Sequence, residues 1–247
     1  AALIGIPYSY ISPLAYIRTN IEGTYNVLES AKLRQTEKII ITSTSETYGT
    51  AQTIPIDESH PLVGQSPYSA SKISADQLAL SYHLSFDSPI TIARPFNTYG
   101  PRQSSRAIIP TIFSQAILGD TLTLGNLSPT RDLTYVDDTC KGFLEIANHP
   151  DLNGEVINIG SNQEISIGAL AELIKEIVGK DLNITESQDR LRPEKSEVDR
   201  LLCDNSKICK LTTWKPEIGL KDGLRNVYKW MQSIDLNQIY KADRYNV

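Results

Sequence analysis

The sequence predicts an α/β fold with a doubly wound parallel sheet and a smaller mixed α/β lobe. Three observations point there. Short, mostly apolar runs at Ile39-Ile40-Ile41 and Ile90–Ala93 alternate with longer segments of helical apolar spacing. The first of these runs passes directly into the hydroxyl-rich stretch Thr42-Ser43-Thr44-Ser45-Glu46, the kind of strand end that faces a ligand crevice in parallel sheets. After Pro95 the alternation becomes irregular, which places a second lobe beyond about residue 100.

Along the chain, residues 13–33 carry apolar side chains at Tyr16, Ile17, Ile21, Tyr25, Val27 and Leu28, a helical spacing. Residues 38–42 read as a buried strand, and the proline-containing, polar residues 55–65 as a loop. Helix is expected over 66–86, from Ala70, Ile73, Ala75, Leu78, Leu80 and Tyr82, then strand over 90–94. Residues 100–105 are a loop, 107–118 a helix, 121–124 a short strand, 136–148 a helix and 155–159 a strand. Ser166 opens a helix that Gly179 stops, residues 187–198 are charged and irregular, and 220–231 form a last amphipathic helix. The opening Ala1-Ala2-Leu3-Ile4-Gly5-Ile6 reads as the tail of a strand, as if earlier elements preceded it.

Composition removes several classes. With 247 residues, 40% hydrophobic and 21% charged, the chain has the makeup of an ordinary globular protein able to bury a large core. A net charge of −5 offers no footprint for nucleic acid. No apolar run approaches the length of a membrane span, and no signal-peptide pattern opens the chain. Cys140, Cys203 and Cys209 lack zinc-type spacing and read as reduced thiols, consistent with a cytoplasmic location. His60, His83 and His149 are scattered and form no metal constellation.

The chemistry concentrates in two stretches. Tyr68 and Lys72 lie four residues apart on an expected helix and therefore share a face. A phenol near pKa ~10 is a poor base, and an adjacent ammonium favours its ionised form. Alone, the pair reads better as a surface contact. Beside it, Thr44 offers a hydroxyl to orient a sugar oxygen, and Glu46 offers a second acid/base one carbon away.

Taken with Thr19-Asn20-Ile21-Glu22-Gly23-Thr24, Arg94-Pro95-Phe96-Asn97-Thr98-Tyr99-Gly100-Pro101 and Thr130-Arg131-Asp132-Leu133-Thr134-Tyr135-Val136-Asp137-Asp138, the chain resembles the extended short-chain dehydrogenase/reductases that act on nucleotide sugars. The resemblance implies a Rossmann-like NAD-binding domain over residues 1–100, lacking its first strands and Gly-rich loop, which would lie upstream of Ala1. It implies a nucleotide-sugar lobe over 101–247, with about 153–161 returning to the first domain. Pro7-Tyr8-Ser9-Tyr10, Gly64-Gln65-Ser66-Pro67-Tyr68 and Arg190-Leu191-Arg192-Pro193-Glu194-Lys195-Ser196-Glu197-Val198 look most like the nucleotide-diphospho-N-acetylglucosamine 4,6-dehydratases of legionaminic acid pathways.

What that resemblance implies is specific. Tyr68 takes the C4 hydroxyl proton as hydride leaves for NAD, with Lys72 holding the nicotinamide ribose and Thr44 placing the C4 oxygen. Glu46 removes the C5 proton, water leaves from C6, and hydride returns there. Ala1, Ala2, Asn20, Thr42, Ser43 and Pro95 join Tyr68 and Lys72 in contacting NAD; Asn97, Arg131 and Arg192 join Thr44 in holding the substrate. A homodimer is the expected assembly. Ser45 departs from better-known hexose dehydratases, which carry Asp there to protonate the leaving oxygen, and the Thr-Ser-Glu triplet also occurs in UDP-glucuronate decarboxylases of the family. Decarboxylation requires a cation for the substrate carboxylate, and no extra basic residue stands beside Ser45 in the sequence. A 4-epimerase, or a binding-only relative, would leave Glu46 idle.

Overall fold

The computed structural model describes residues 2–236. Its central sheet runs β1 (Ile39–Thr42), β2 (Ile90–Pro95) and β6 (Val156–Ile159), all parallel in the order β1-β2-β6. Ile39 pairs with Ile90 and Ile92 with Val156. Parallel neighbours need crossovers, and helices supply them on both faces. Ile90 and Ile92 point toward α3 (Gly23–Leu33) and α4 (Pro67–Phe86), packing with Leu28, Ala79 and Tyr82. Ala93, Ile157 and Ile159 point the other way, toward α6 (Val136–Asn148) and α8 (Ser206–Leu211), meeting Ile146, Ile208 and Trp214. The architecture is the Rossmann-like α/β arrangement that the alternation of apolar runs predicts.

Two smaller sheets follow. β3 (Asn97–Tyr99) pairs parallel with β5 (Thr130–Tyr135), which pairs antiparallel with β7 (Glu164–Ser166). β4 (Thr121–Leu124) pairs parallel with β8 (Asn183–Glu186). A large apolar cluster joins them to α5 (Ile108–Leu118), α7 (Ile167–Val178) and α9 (Leu220–Gln232) through Phe113, Leu122, Ile174, Leu224 and Met231.

The N-terminal segment differs from the expected strand tail. After irregular residues 2–5 comes α1 (Ile6–Ile11), with Pro7 in its first turn, where a missing N–H matters least. The expected single helix over 13–33 is divided: α2 (Pro13–Tyr16), a π-helical turn (Ile17–Glu22), then α3. At the π turn Asn20 is 2% exposed; its Oδ1 accepts from the Leu3 N–H, and its Nδ2 donates to the Leu3 carbonyl and Ser71 Oγ. The widened turn therefore accompanies a side chain that ties residue 3 to α4.

One buried polar network fixes α4 to the sheet. Arg94, on β2, is 2% exposed and its Nη2 lies 2.8 Å from Asp76 Oδ2 on α4. Ser43, just past β1, donates to the same Asp76 oxygen and accepts from Arg94 Nε. The Arg94 guanidinium stacks 4.6 Å over the Tyr48 ring, and the Tyr48 hydroxyl donates to Asn158 on β6. A buried ion pair adds little net stability, but removing one partner strands the other charge.

Two outcomes follow from that network. Asp76→Ala should lower unfolding stability by about 3–5 kcal/mol in chemical denaturation, because Arg94 loses its only carboxylate contact among the described residues. Burial pushes the Tyr48 phenol up to about 12, against the opposing pull of Arg94. A phenol raised in the fold contributes stability present below its ordinary value of 10 and lost as pH climbs through about 12. Tyr48→Phe should therefore flatten the alkaline fall in denaturation midpoint over that window.

Candidate active site

The reacting groups gather at the carboxyl edge of the central sheet, where parallel strands bind ligands. α4 starts from a reciprocal capping box between Ser66 and Ser69, with Pro67 at its first position, so its first turn is held firmly. That turn carries Tyr68, and the next carries Lys72. Both are buried, at 6% and 6% exposure. Lys72 Nζ donates to the Thr42 carbonyl at the end of β1 over 2.7 Å. Tyr68 meets the edge of the Tyr16 ring, centroids 6.2 Å apart, and the nearby Thr44 hydroxyl favours its ionised form.

Electrostatics here correct one expectation. The ammonium was expected to draw the phenol down; instead Tyr68 is held well above its ordinary value, first by burial and then by the charges of Glu46 and Asp76, with the Thr44 hydroxyl opposing. Lys72 is itself lowered by burial, which Asp76 counters. The protein alone thus keeps a neutral phenol in place.

Thr44 caps a 3-10 turn over Ser45–Tyr48, its Oγ1 accepting from the Glu46 N–H at 3.3 Å. The turn ends at Gly49, whose φ of +66° suits glycine. Ser45 and Glu46 are 2% and 8% exposed, and the Glu46 charge acts on both Tyr68 and Arg131. Thr44, Ser45, Glu46, Tyr68 and Lys72 are therefore brought together at one edge.

A cleft of about 270 Å³ brings together the other set, Asn97, Arg131 and Arg192. Arg131 does not pair with its neighbour Asp132. It is 6% exposed, its Nη1 donates to the Thr130 carbonyl and its Nη2 lies 3.5 Å from Glu197. Asp132 instead accepts from the backbone of Ser161, Asn162 and Cys203. A second hollow of about 370 Å³, between Glu164 and Gly219, contains none of the expected reacting or binding residues.

The expected cofactor contacts are placed unevenly. Thr42 offers its carbonyl to Lys72, and Pro95 ends β2 at the same edge. Ser43 and Asn20 use their side chains inside the protein, on Asp76 and on Leu3 with Ser71. Ala2 is exposed, and Ala1 lies outside the described residues. Sequence reasoning missed Arg106, Arg190 and Glu197 in the cleft, and the Asp76–Arg94 pair behind the edge. Arg106 lines the cleft, and its charge reaches Tyr16, which packs on Tyr68. Arg190, two residues before Arg192, was the one visible signal.

No described helix is long and apolar enough to cross a membrane, and no described cluster of His, Cys, Asp and Glu could hold a metal.

Comparison with known proteins agrees with this layout. The chain is 34% identical to the low-salt glycan biosynthesis protein Agl12 of Haloferax volcanii over 85% of its length and 66% of that protein's. It is 32% identical to a UDP-glucuronate 4-epimerase of Thermodesulfobacterium geofontis, covering 98% of this chain and 74% of the relative. The chain thus spans about two thirds to three quarters of these curated relatives. Among solved structures, TunA, an NAD-dependent NDP-hexosamine 5,6-dehydratase of tunicamycin biosynthesis, superposes with a TM-score of 0.89 at 28% identity, covering 97% of this chain and 77% of TunA. The family model described as GDP-mannose 4,6 dehydratase matches residues 1–227, and the chain belongs to that family of extended short-chain dehydrogenase/reductases.

Proposed function

We propose that the protein dehydrates a nucleotide-diphospho-N-acetylglucosamine to its 4-keto-6-deoxy derivative, as a lyase of the legionaminic-acid type. The single observation that carries the reading is the buried Glu46 carboxylate in electrostatic contact with Tyr68. An epimerase has no use for a second acid/base there; a dehydratase does. The likeness to an NDP-hexosamine dehydratase supports it.

The residues present fit NAD at the sheet edge. Lys72 is a buried cation whose Nζ is already aimed at the Thr42 carbonyl, next to Tyr68, a geometry that suits ribose hydroxyls. When bound, NAD supplies the acceptor for hydride from C4 and its return to C6. Thr44 holds the C4 oxygen, and Tyr68 accepts its proton only once ionised, a change that burial opposes and the Thr44 hydroxyl favours. Glu46 then takes the C5 proton and passes it to the departing C6 oxygen, since a serine hydroxyl at Ser45 is a far weaker acid. When C6 is reduced, C5 regains a proton from solvent by way of Glu46, and Tyr68 gives up its own to solvent. Asn97, Arg131 and Arg192 hold the nucleotide and diphosphate, for which the planar guanidinium fork is suited. In this reading residues 1–100 belong to the cofactor lobe, 101–247 mainly to the sugar lobe, and the exposed apolar side chains Leu14, Ile17, Tyr25 and Val27 support a homodimer.

A second reading rests on Arg106. That cation removes the objection to UDP-glucuronate decarboxylation, because it stands in the cleft near Tyr16 and could pair with a substrate carboxylate. Mass spectrometry of products from UDP- and GDP-N-acetylglucosamine and from UDP-glucuronate separates the two: loss of water from an N-acetylglucosamine substrate supports the dehydratase, and loss of carbon dioxide from the uronate supports the decarboxylase.

Tyr68→Phe in the full-length enzyme should lower turnover about a thousandfold, read as product formation at saturating substrate. Glu46→Gln should still oxidise C4, seen as reduced-nicotinamide absorbance, yet release no 4-keto-6-deoxy product; normal turnover by that variant would remove Glu46 from the chemistry.

A further inference from the structure

Three segments that carry the site meet at one side chain, Gln65. The 3-10 turn with Glu46 ends at Gly49, and the N–H of the next residue, Thr50, donates to Gln65 Oε1. From the other end of the same amide, Gln65 Nε2 donates to the Glu197 carbonyl at 3.0 Å and to the Lys195 carbonyl at 3.3 Å. Those carbonyls belong to the loop that carries Arg192. Gln65 itself immediately precedes the Ser66 cap of α4, the helix with Tyr68 and Lys72. An amide offers an acceptor and two donors in one planar group, and here the partners fix which way round it lies. Gly49 leaves room for it, since a Cβ there would meet Gln65 Oε1 and displace the amide.

The loop is tied a second time next door. Ser196 is buried, and its Oγ donates to the Gln65 carbonyl at 2.6 Å. That uses its one proton, so the Tyr10 hydroxyl of α1, also at 2.6 Å, donates to Ser196. The Ser196 N–H closes a 3-10 turn on the carbonyl of Pro193, the residue after Arg192. Arg192 Nη1 is buried and has no hydrogen-bond partner among the described residues. Where that nitrogen sits therefore follows the backbone, which Gln65 pins a few residues further on.

We propose that Gln65 is a positioning residue. Its amide sets the Arg192 loop in register with the turn of Glu46 and the start of α4, so that a nucleotide gripped in the cleft presents its sugar to the reacting groups. Gln65 acts on the ligand only through Arg192, and the proposal rests on the reading of Arg192 as a diphosphate ligand.

The test is equilibrium binding of UDP and GDP to the full-length protein. Gln65→Glu keeps the size and the acceptor for Thr50, but its ionised form has no donor for the two carbonyls. It should weaken binding about tenfold at about pH 8. The facing carbonyls push such a carboxyl up, and a protonated carboxyl regains an O–H donor. Affinity relative to the wild type at the same pH should therefore recover toward about pH 5. In the Arg192→Met background the same exchange should alter affinity by less than about twofold, because the cation that Gln65 places is gone. Should Gln65→Glu not fold, Ser196→Ala carries the test, with a loss of about threefold that disappears beside Arg192→Met. Wild-type affinity in the variant tested overturns the proposal while leaving the cleft as the nucleotide site. So does a loss that keeps its full size without Arg192, or one in Gln65→Glu that persists to about pH 5. Failure of the wild type to bind either diphosphate, or binding unaffected by Arg192→Met alone, overturns the reading of the cleft and the proposal with it.

Discussion

The ion pair between Arg94 and Asp76 decides where the reacting groups sit. Asp76 lies one helical turn beyond Lys72 and two beyond Tyr68 on α4, and Arg94 lies in the middle strand of the central sheet. With Ser43 inserted between them, the pair locks α4 in rotation and height against the carboxyl edge of β1. A phenol and an ammonium placed by a helix face alone would be free to slide with the helix. Here the buried charges permit one position, since any other leaves Arg94 or Asp76 without its partner in a medium that penalises it. Lys72 reaching the Thr42 carbonyl is a consequence of that registration.

A second set of buried charges organises the cleft. Arg131 sits between Glu46 on the reacting side and Glu197 on the binding side, and both carboxylates act on it. The cation that would receive the diphosphate also feels the charge of the group that would take the C5 proton. Binding and proton transfer are thus adjacent in one electrostatic cluster, and Arg106 extends it toward Tyr16 and Tyr68. Burial dominates throughout: it holds the Tyr68 phenol protonated and lowers Lys72, so the protein's own charges do not prepare an ionised base.

Much of this was legible in the sequence, for identifiable reasons. Three consecutive isoleucines mark β1, and the 3.6-residue spacing of apolar side chains marks α4, α5, α7 and α9. The polar string Thr130-Arg131-Asp132 carries no strand signal, yet β5 runs through it, because Asp132 is satisfied by backbone N–H groups from distant loops. The π turn at Asn20 was equally hidden, since it accompanies hydrogen bonds to residues 17 and 51 positions away. In the site, local spacing exposed Tyr68 with Lys72 and Thr44 with Glu46. Asp76–Arg94 and Glu197–Arg131 join residues far apart in sequence, and periodicity says nothing of those.

The central claim is that Glu46 removes a proton from C5 after C4 has been oxidised at Tyr68. Incubating the full-length protein with UDP- or GDP-N-acetylglucosamine in D2O and locating the label by NMR tests it most directly. The account predicts deuterium at C5 of a 4-keto-6-deoxy product. An unchanged sugar, or only its C4 epimer without label at C5, would contradict it.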